Sequence, residues 1–277
     1  TRTPYPTATV VEPTATVDLA PTPMGGSYGQ LAFASDRRSV PQIFMMNFDG
    51  SEVTQITSLQ DGACQPDWSP DGSQLVFISP CFERADVYPE SRLYIVNADG
   101  TGLAPLLNSD AGDFDPSWSP DGTRIAFTSL RDGTLQIYVL DLRDNSVTAL
   151  TNGTEGREAL QPEWSPDGSQ ILYSARRIGV SQIWVMSDTG RGQEQIVRSG
   201  LDFWDFLPTW SPDGEMVLFT QVRSDQRTWG YTMYMRYDDR ALAQGRPLSN
   251  KDFAFDGDYS SDGQWIFFEN SPDTRTF

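Results

Sequence analysis

Short apolar runs, each closed off by turn residues, recur along the whole chain. In one clear copy Gln170-Ile171-Leu172-Tyr173-Ser174 is β-branched, aromatic and apolar, and the stretch before its turn alternates an aromatic anchor with small polar residues. That pattern predicts two strands joined by a hairpin. The full phrase, PEWSPDGSQILYS from Pro162 to Ser174, returns at Pro66–Ser79, Pro116–Ser129 and Pro208–Thr220, and in worn form at Gly257–Phe268. Its anchors Trp68, Trp118, Trp164, Trp210 and Tyr259 stand 50, 46, 46 and 49 residues apart. A period of that size implies a solenoid, propeller or array.

The turn inside the phrase narrows the choice. Ser-Pro-Asp-Gly places proline where a type I turn wants φ near −65° and glycine where the next residue goes left-handed. A third apolar run follows in each unit, at Gln42–Met45, Leu93–Val96, Gln136–Val139, Gln182–Val185 and Thr232–Met235. Turns such as Asp49-Gly50 and Asp99-Gly100 then lead to a fourth, as at Val147–Leu150. Four antiparallel strands per unit, repeated, predict an all-β propeller whose blades cover one another.

The phrase P-x-W-S-P-D-G-x-x-I-x-F-x-S resembles the repeat of TolB-type, WD-like propellers, over roughly residues 30–270. The resemblance implies six four-stranded blades and a binding platform. It extends to the periplasmic TolB protein, the tricorn protease and the propellers beside some serine peptidase domains, so it leaves the function open.

Composition narrows the chemistry. Acidic residues outnumber basic ones 38 to 20, for a net charge of −18. Such a surface repels nucleic acid and anionic membrane, so neither is expected as a partner. Histidine is absent, which rules out a Ser-His-Asp or Cys-His site within this chain. No apolar run reaches the length of a membrane helix, and no signal peptide is visible.

Residues 1–26 are a different material, rich in Thr, Pro, Ala and Val, with T-A-T-V at Thr7–Val10 and again at Thr14–Val17. They read as an extended extracellular arm, with Thr7, Thr9, Thr14 and Thr16 as O-glycosylation candidates, ahead of a propeller at 27–277. Strand bookkeeping gives the arm a second reading. Unit one starts at Gln30–Ser35, a second strand without its tryptophan strand, and unit six stops after two strands. Thr7–Val11 and Thr14–Leu19 have edge-strand composition, with prolines tolerated at an edge. The arm is therefore expected to pair with an open blade, in the same molecule or, through residues 5–20, in another copy.

Both cysteines fall in unit two. With the turn centred near Pro70 and Asp71, residue 64 faces about 77–79, so Cys81 is one short step away and a Cys64–Cys81 disulfide is expected. That bond predicts an extracytoplasmic location. Phe82–Ser91 then projects as an insertion. Asn152-Gly153-Thr154 is a formal N-glycosylation sequon. Phe203, Trp204 and Phe206 form an aromatic group that either packs between blades or offers a ligand platform, and residues 236–251 keep little of the repeat.

In a propeller the first strand of each blade lines the central channel. The residues entering those strands include Gln65, Asp113, Asp115, Gln161, Asp205 and Asp256, which are expected to converge on one mouth and suit a cation or a basic peptide. No cofactor is expected. Calcium is the weak exception, at Asp256 and Asp258, without a twelve-residue calcium loop to support it. The phrase aspartates Asp71, Asp121, Asp167 and Asp213 are assigned to turn chemistry. The chain is therefore expected to be a non-catalytic, extracytoplasmic scaffold that binds a protein or peptide. The alternatives are a subunit of a glycosylated surface fibre and the propeller of a larger serine peptidase, the latter expected to continue into a G-x-S-x-G segment.

Overall fold

The computed structural model describes residues 29–37, 40–82, 85–153, 156–177, 179–223, 230–237, 245–248 and 254–270. They form antiparallel sheets arranged as successive units. The first holds β1 (Gln30–Ser35), β2 (Gln42–Asn47) and β3 (Thr54–Gln55). The second holds β4 (Cys64–Trp68), β5 (Gln74–Ser79), β6 (Arg92–Asn97) and β7 (Ala104–Pro105). β8 (Asp113–Trp118), β9 (Arg124–Ser129), β10 (Gln136–Asp141) and β11 (Val147–Ala149) form the third. β12 (Glu158–Trp164), β13 (Gln170–Arg177), β14 (Val180–Ser187) and β15 (Glu194–Gln195) form the fourth. The fifth has β16 (Phe203–Trp210), β17 (Met216–Arg223), β18 (Gly230–Arg236) and β19 (Arg246–Pro247). β20 (Ala254–Tyr259) and β21 (Ile266–Asn270) pair alone.

The expectation of six four-stranded blades is thereby corrected. The described residues make five blades, the first of three strands, and a separate two-stranded sheet. Among the described residues the first blade has no tryptophan strand and the last unit has its first two strands, with 271–277 outside them. Residues 1–28 also lie outside them, and with them the arm, its predicted strand pairing and the threonine glycosylation candidates.

The phrase folds as its chemistry dictates. In blade two the Ser69 hydroxyl donates to Asp71 Oδ1 at 2.7 Å, the Ser73 amide donates to the same oxygen at 3.0 Å, and the Gln74 amide donates back to Ser69 Oγ at 2.9 Å. The same wiring recurs around Asp121, Asp167, Asp213 and Asp262. Glycine is required twice over in these turns. Gly168 sits at φ +71°, and a Cβ there would lie 3.2 Å from Pro120 Cγ of the preceding blade, a conformation and a spacing that side chains resist.

The core is a set of slabs between blades. Val76, Ile78, Phe114, Trp118, Ile125 and Phe127 pack between blades two and three, and Ala126, Ile137, Trp164, Ile171 and Tyr173 between three and four. A sheet buried on both faces needs apolar residues at successive positions, which is why Leu75, Val76, Phe77 and Ile78 are all fully buried. At the seam between the last sheet and the first, the rings of Phe267 and Phe48 lie 5.0 Å apart. No helix among the described residues is long and apolar enough to cross a membrane.

Candidate functional site: the channel carboxylates

Each inner strand carries the same irregularity. The ladder slips between Cys64 and Asp67, Phe114 and Ser117, Leu160 and Glu163, Phe206 and Thr209, and Phe255 and Asp258. At each slip one non-glycine residue is left-handed: Gln65 (φ 53°), Asp115 (51°), Gln161 (56°), Leu207 (52°) and Asp256 (52°). A left-handed L-residue costs roughly 1–2 kcal/mol, so five at one level of a ring need a compensating interaction.

Hydrogen bonds between blades supply it. Gln65 Oε1 accepts from the Asp115 amide at 2.9 Å, Asp115 Oδ2 from the Gln161 amide at 3.1 Å, and Gln161 Oε1 from the Leu207 amide at 3.0 Å. Each bulged side chain thus clasps the backbone of the next bulge. Leu207 has no acceptor to offer, and Thr220 Oγ1 takes the Asp256 amide instead, at 3.0 Å. Gln65 Nε2 adds a donor to Asp115 Oδ1 at 2.6 Å, and Thr128 Oγ1 donates to Asp115 Oδ2 at 3.0 Å.

Two residues beyond each bulge lies a second ring, of Asp67, Ser117, Glu163, Thr209 and Asp258, in which sequence reasoning had singled out Asp258 alone. Asp67 Oδ2 accepts the Trp118 amide at 2.6 Å, and Ser117 Oγ accepts the Trp164 amide at 3.2 Å. These are the variable letters in P-x-W, and their alternation with the buried tryptophan was the available signal.

The carboxylates of the two rings feel one another. Enclosure by the ring raises Asp67 to about 7, with the charge of Asp258 adding to it. Glu163 is raised well above the ordinary range, first by enclosure and then by Asp67 and Asp258. Enclosure raises Asp115 to about 6 against the donors Thr128, Gln161 and Gln65, and Asp258 to about 6 with Asp256 nearby. Asp67, Asp115 and Glu163 are half-buried, while Asp256 and Asp258 stay open to the channel. Crowded like charges of this kind favour protons or an incoming cation.

Of the six residues expected at the mouth, Gln65, Asp115, Gln161 and Asp256 come together as equivalents. Asp113 and Asp205 point elsewhere. Asp113 is fully buried, accepts from Ser129 Oγ at 2.6 Å and pairs with Arg131 at 2.9 Å. Asp205 is also fully buried and accepts from Gln221 Nε2 at 2.8 Å. Both tie a first strand to its hairpin partner. For calcium, no group of three or more Cys, Asp or Glu among the described residues is placed to hold a metal ion. Phe203, Trp204 and Phe206 are half-buried in β16.

The disulfide is where it was expected. Cys64 pairs with Cys81, Cα to Cα 5.9 Å, with Cys64 facing Ile78 in the ladder. It anchors the strand carrying Gln65 to the root of the 82–91 insertion. From that insertion Asp86 reaches to 4.0 Å from Arg176 of blade four.

Residues 83–244, more than half of the chain, match the TolB beta propeller domain family. The fold is similar to TolB from Acinetobacter baumannii, with a TM-score of 0.70 and 20% identity over 86% of this chain, which spans 57% of the length of that protein. It is similar to a putative TolB from Agrobacterium tumefaciens, with a TM-score of 0.68 and 20% identity over 88% of this chain and 90% of that one. An oligogalacturonate lyase in complex with manganese shares the fold at a TM-score of 0.61 and 13% identity, over 90% of this chain and 69% of the lyase. No curated protein sequence matches the chain.

Proposed function

Given that the chain belongs to the TolB beta propeller domain family, we propose that it is a non-catalytic, extracytoplasmic module whose channel receives a basic segment of a protein partner. The observation that carries this reading is the crowding of Asp67, Asp115, Glu163 and Asp258, each held above its ordinary protonation range by enclosure and like charge. A lysine or arginine side chain entering there relieves the repulsion and is focused by the field of the ring. The lack of histidine in the chain and the disulfide support the non-catalytic and extracytoplasmic parts.

Titration calorimetry with a lysine-rich decapeptide at pH 7.5 tests the reading. Binding is expected to release protons, because the cation lowers the pKa of the channel acids, and to weaken roughly tenfold in Asp67→Asn or Glu163→Gln. Binding that ignores both substitutions, or takes place without proton release, would overturn it.

A further inference from the structure

The last sheet differs from the complete blades at its outer edge. There the second strand of the hairpin is flanked on both sides, whereas β21 pairs only with β20 among the described residues. Phe268 stands eight residues after the phrase serine, the place held by Phe77, Phe127, Tyr173 and Phe219. Those four are at most 1% exposed, whereas Phe268 is 40% exposed and Trp265 beside it 61%. What covers the equivalents is the third strand. Phe77 stacks on Tyr94 at 5.7 Å, Phe127 meets Tyr138 at 6.0 Å and Tyr173 meets Trp184 at 6.5 Å. β21 is therefore an acceptor edge with an uncovered aromatic, a shape suited to one more antiparallel strand.

The chain enters the described structure beside that edge. Gly29 O accepts the Phe48 amide at 2.8 Å, and the Phe48 ring packs on Phe267 of β21. β1 is a second strand like β21, so both run the same way, and Gly29 lies at the end of the ring where β21 begins. A strand antiparallel to β21 finishes at that same end. Thr14-Ala15-Thr16-Val17-Asp18-Leu19 alternates polar and apolar without a break, the mark of a half-buried strand, and Pro13 and Pro21 flank it where proline is tolerated. The ten steps from Leu19 to Gly29 reach up to about 35 Å, while a neighbouring strand lies only about 4.8 Å away. A tether that short gives an effective concentration of order millimolar, well above a second copy at micromolar.

We propose that Thr14–Leu19 pairs with the edge of β21 that no described strand covers, in the same molecule, as the third strand of the last blade, and lays its apolar face over Phe268. This is independent of the channel's ligand. The test is hydrogen exchange at the amides of β21, compared between the intact chain, a chain lacking residues 1–20, and Thr16→Pro with Val17→Pro together. Adjacent residues direct their amides to opposite edges, so the double substitution removes one bond to β21 in either register. Exchange in β21 is expected to speed up at least tenfold in both altered chains and to slow again on adding a peptide of residues 7–21 to the truncated one. The amides of β9 serve as the control for an intact fold. Unchanged exchange in β21 would overturn the pairing. Protection that depends on protein concentration, with dimers or longer assemblies by light scattering, would overturn its intramolecular form and favour donation between copies.

Discussion

Asp67 and Asp71 stand four residues apart in one hairpin and live under opposite electrostatics. Asp71 lies at the turn, where the Ser69 hydroxyl and the amide and hydroxyl of Ser73 all donate to it and hold its carboxyl below the usual range. Asp67 faces the channel, where enclosure and the charge of Asp258 push it up to about 7. Every turn repeats the first arrangement, and the channel collects the second. A carboxylate surrounded by fixed donors is a structural part. One that enclosure drives up, with like charge adding to it, is a site looking for a cation.

Four measurements put that contrast to the test. The largest concerns Asp113, a mouth candidate that the structure assigns to the framework: Asp113→Ala leaves Arg131 without its partner and should lose about 3 kcal/mol by urea unfolding. A loss under about 1 kcal/mol would return Asp113 to the channel class. Next, Asp167→Ala removes the acceptor for Ser165 Oγ and for the Ser169 amide and should cost about 1–2 kcal/mol, in the range of lost caps.

Third comes pH. The turn aspartates, with folded pKa values below the unfolded ones, add stability that is present above about pH 4 and is lost as pH falls through their folded values. Asp67, Asp115 and Asp258 do the reverse. Protonated in the fold up to about 7, 6 and 6, they hold protons that the unfolded chain releases near pH 4, so stability falls as pH rises through that window. With screening by channel water, about 1–2 kcal/mol should be lost between pH 5 and pH 8. Thermal melts across that range check it, and a flat or rising profile would contradict the assignment. The smallest effect is Glu163→Gln, whose stabilisation should grow with rising pH to no more than about 0.5–1 kcal/mol, since only the charged form repels Asp67 and Asp258.

The repeat made the fold legible because Ser-Pro-Asp-Gly and its flanking runs encode a hairpin locally. Cys64 and Cys81 could be paired by counting along that hairpin. The blade count was harder, because it depends on which strands complete the first and last units, and that is settled by long-range pairing. The channel was half legible. Gln65, Asp115, Gln161 and Asp256 followed from their place before the tryptophan strands, but Asp113 and Asp205 were read as facing the same way. The left-handed residue in each inner strand re-aims its neighbours, and nothing in a period-two reading anticipates it. The same bulge hid Asp67 and Glu163 inside a phrase whose acids looked like turn residues, and Asp258 was named as a calcium candidate without its ring partners.

The clasps that run from Gln65 to Asp115, to Gln161 and on to Leu207 also set how the molecule answers to force. Pulled by its ends, a ring fastened blade to blade yields in steps, each freeing one repeat of 46 to 50 residues and about 150–180 Å of extended chain. The clasp onto the last sheet, where Thr220 stands in for the missing acceptor at Leu207, is the one without a bulge side chain and should open first. Because Asp256 and Asp258 sit on that last sheet, its release would also take two acids out of the channel, so tension would loosen the grip on a cation at the same step that first lengthens the chain.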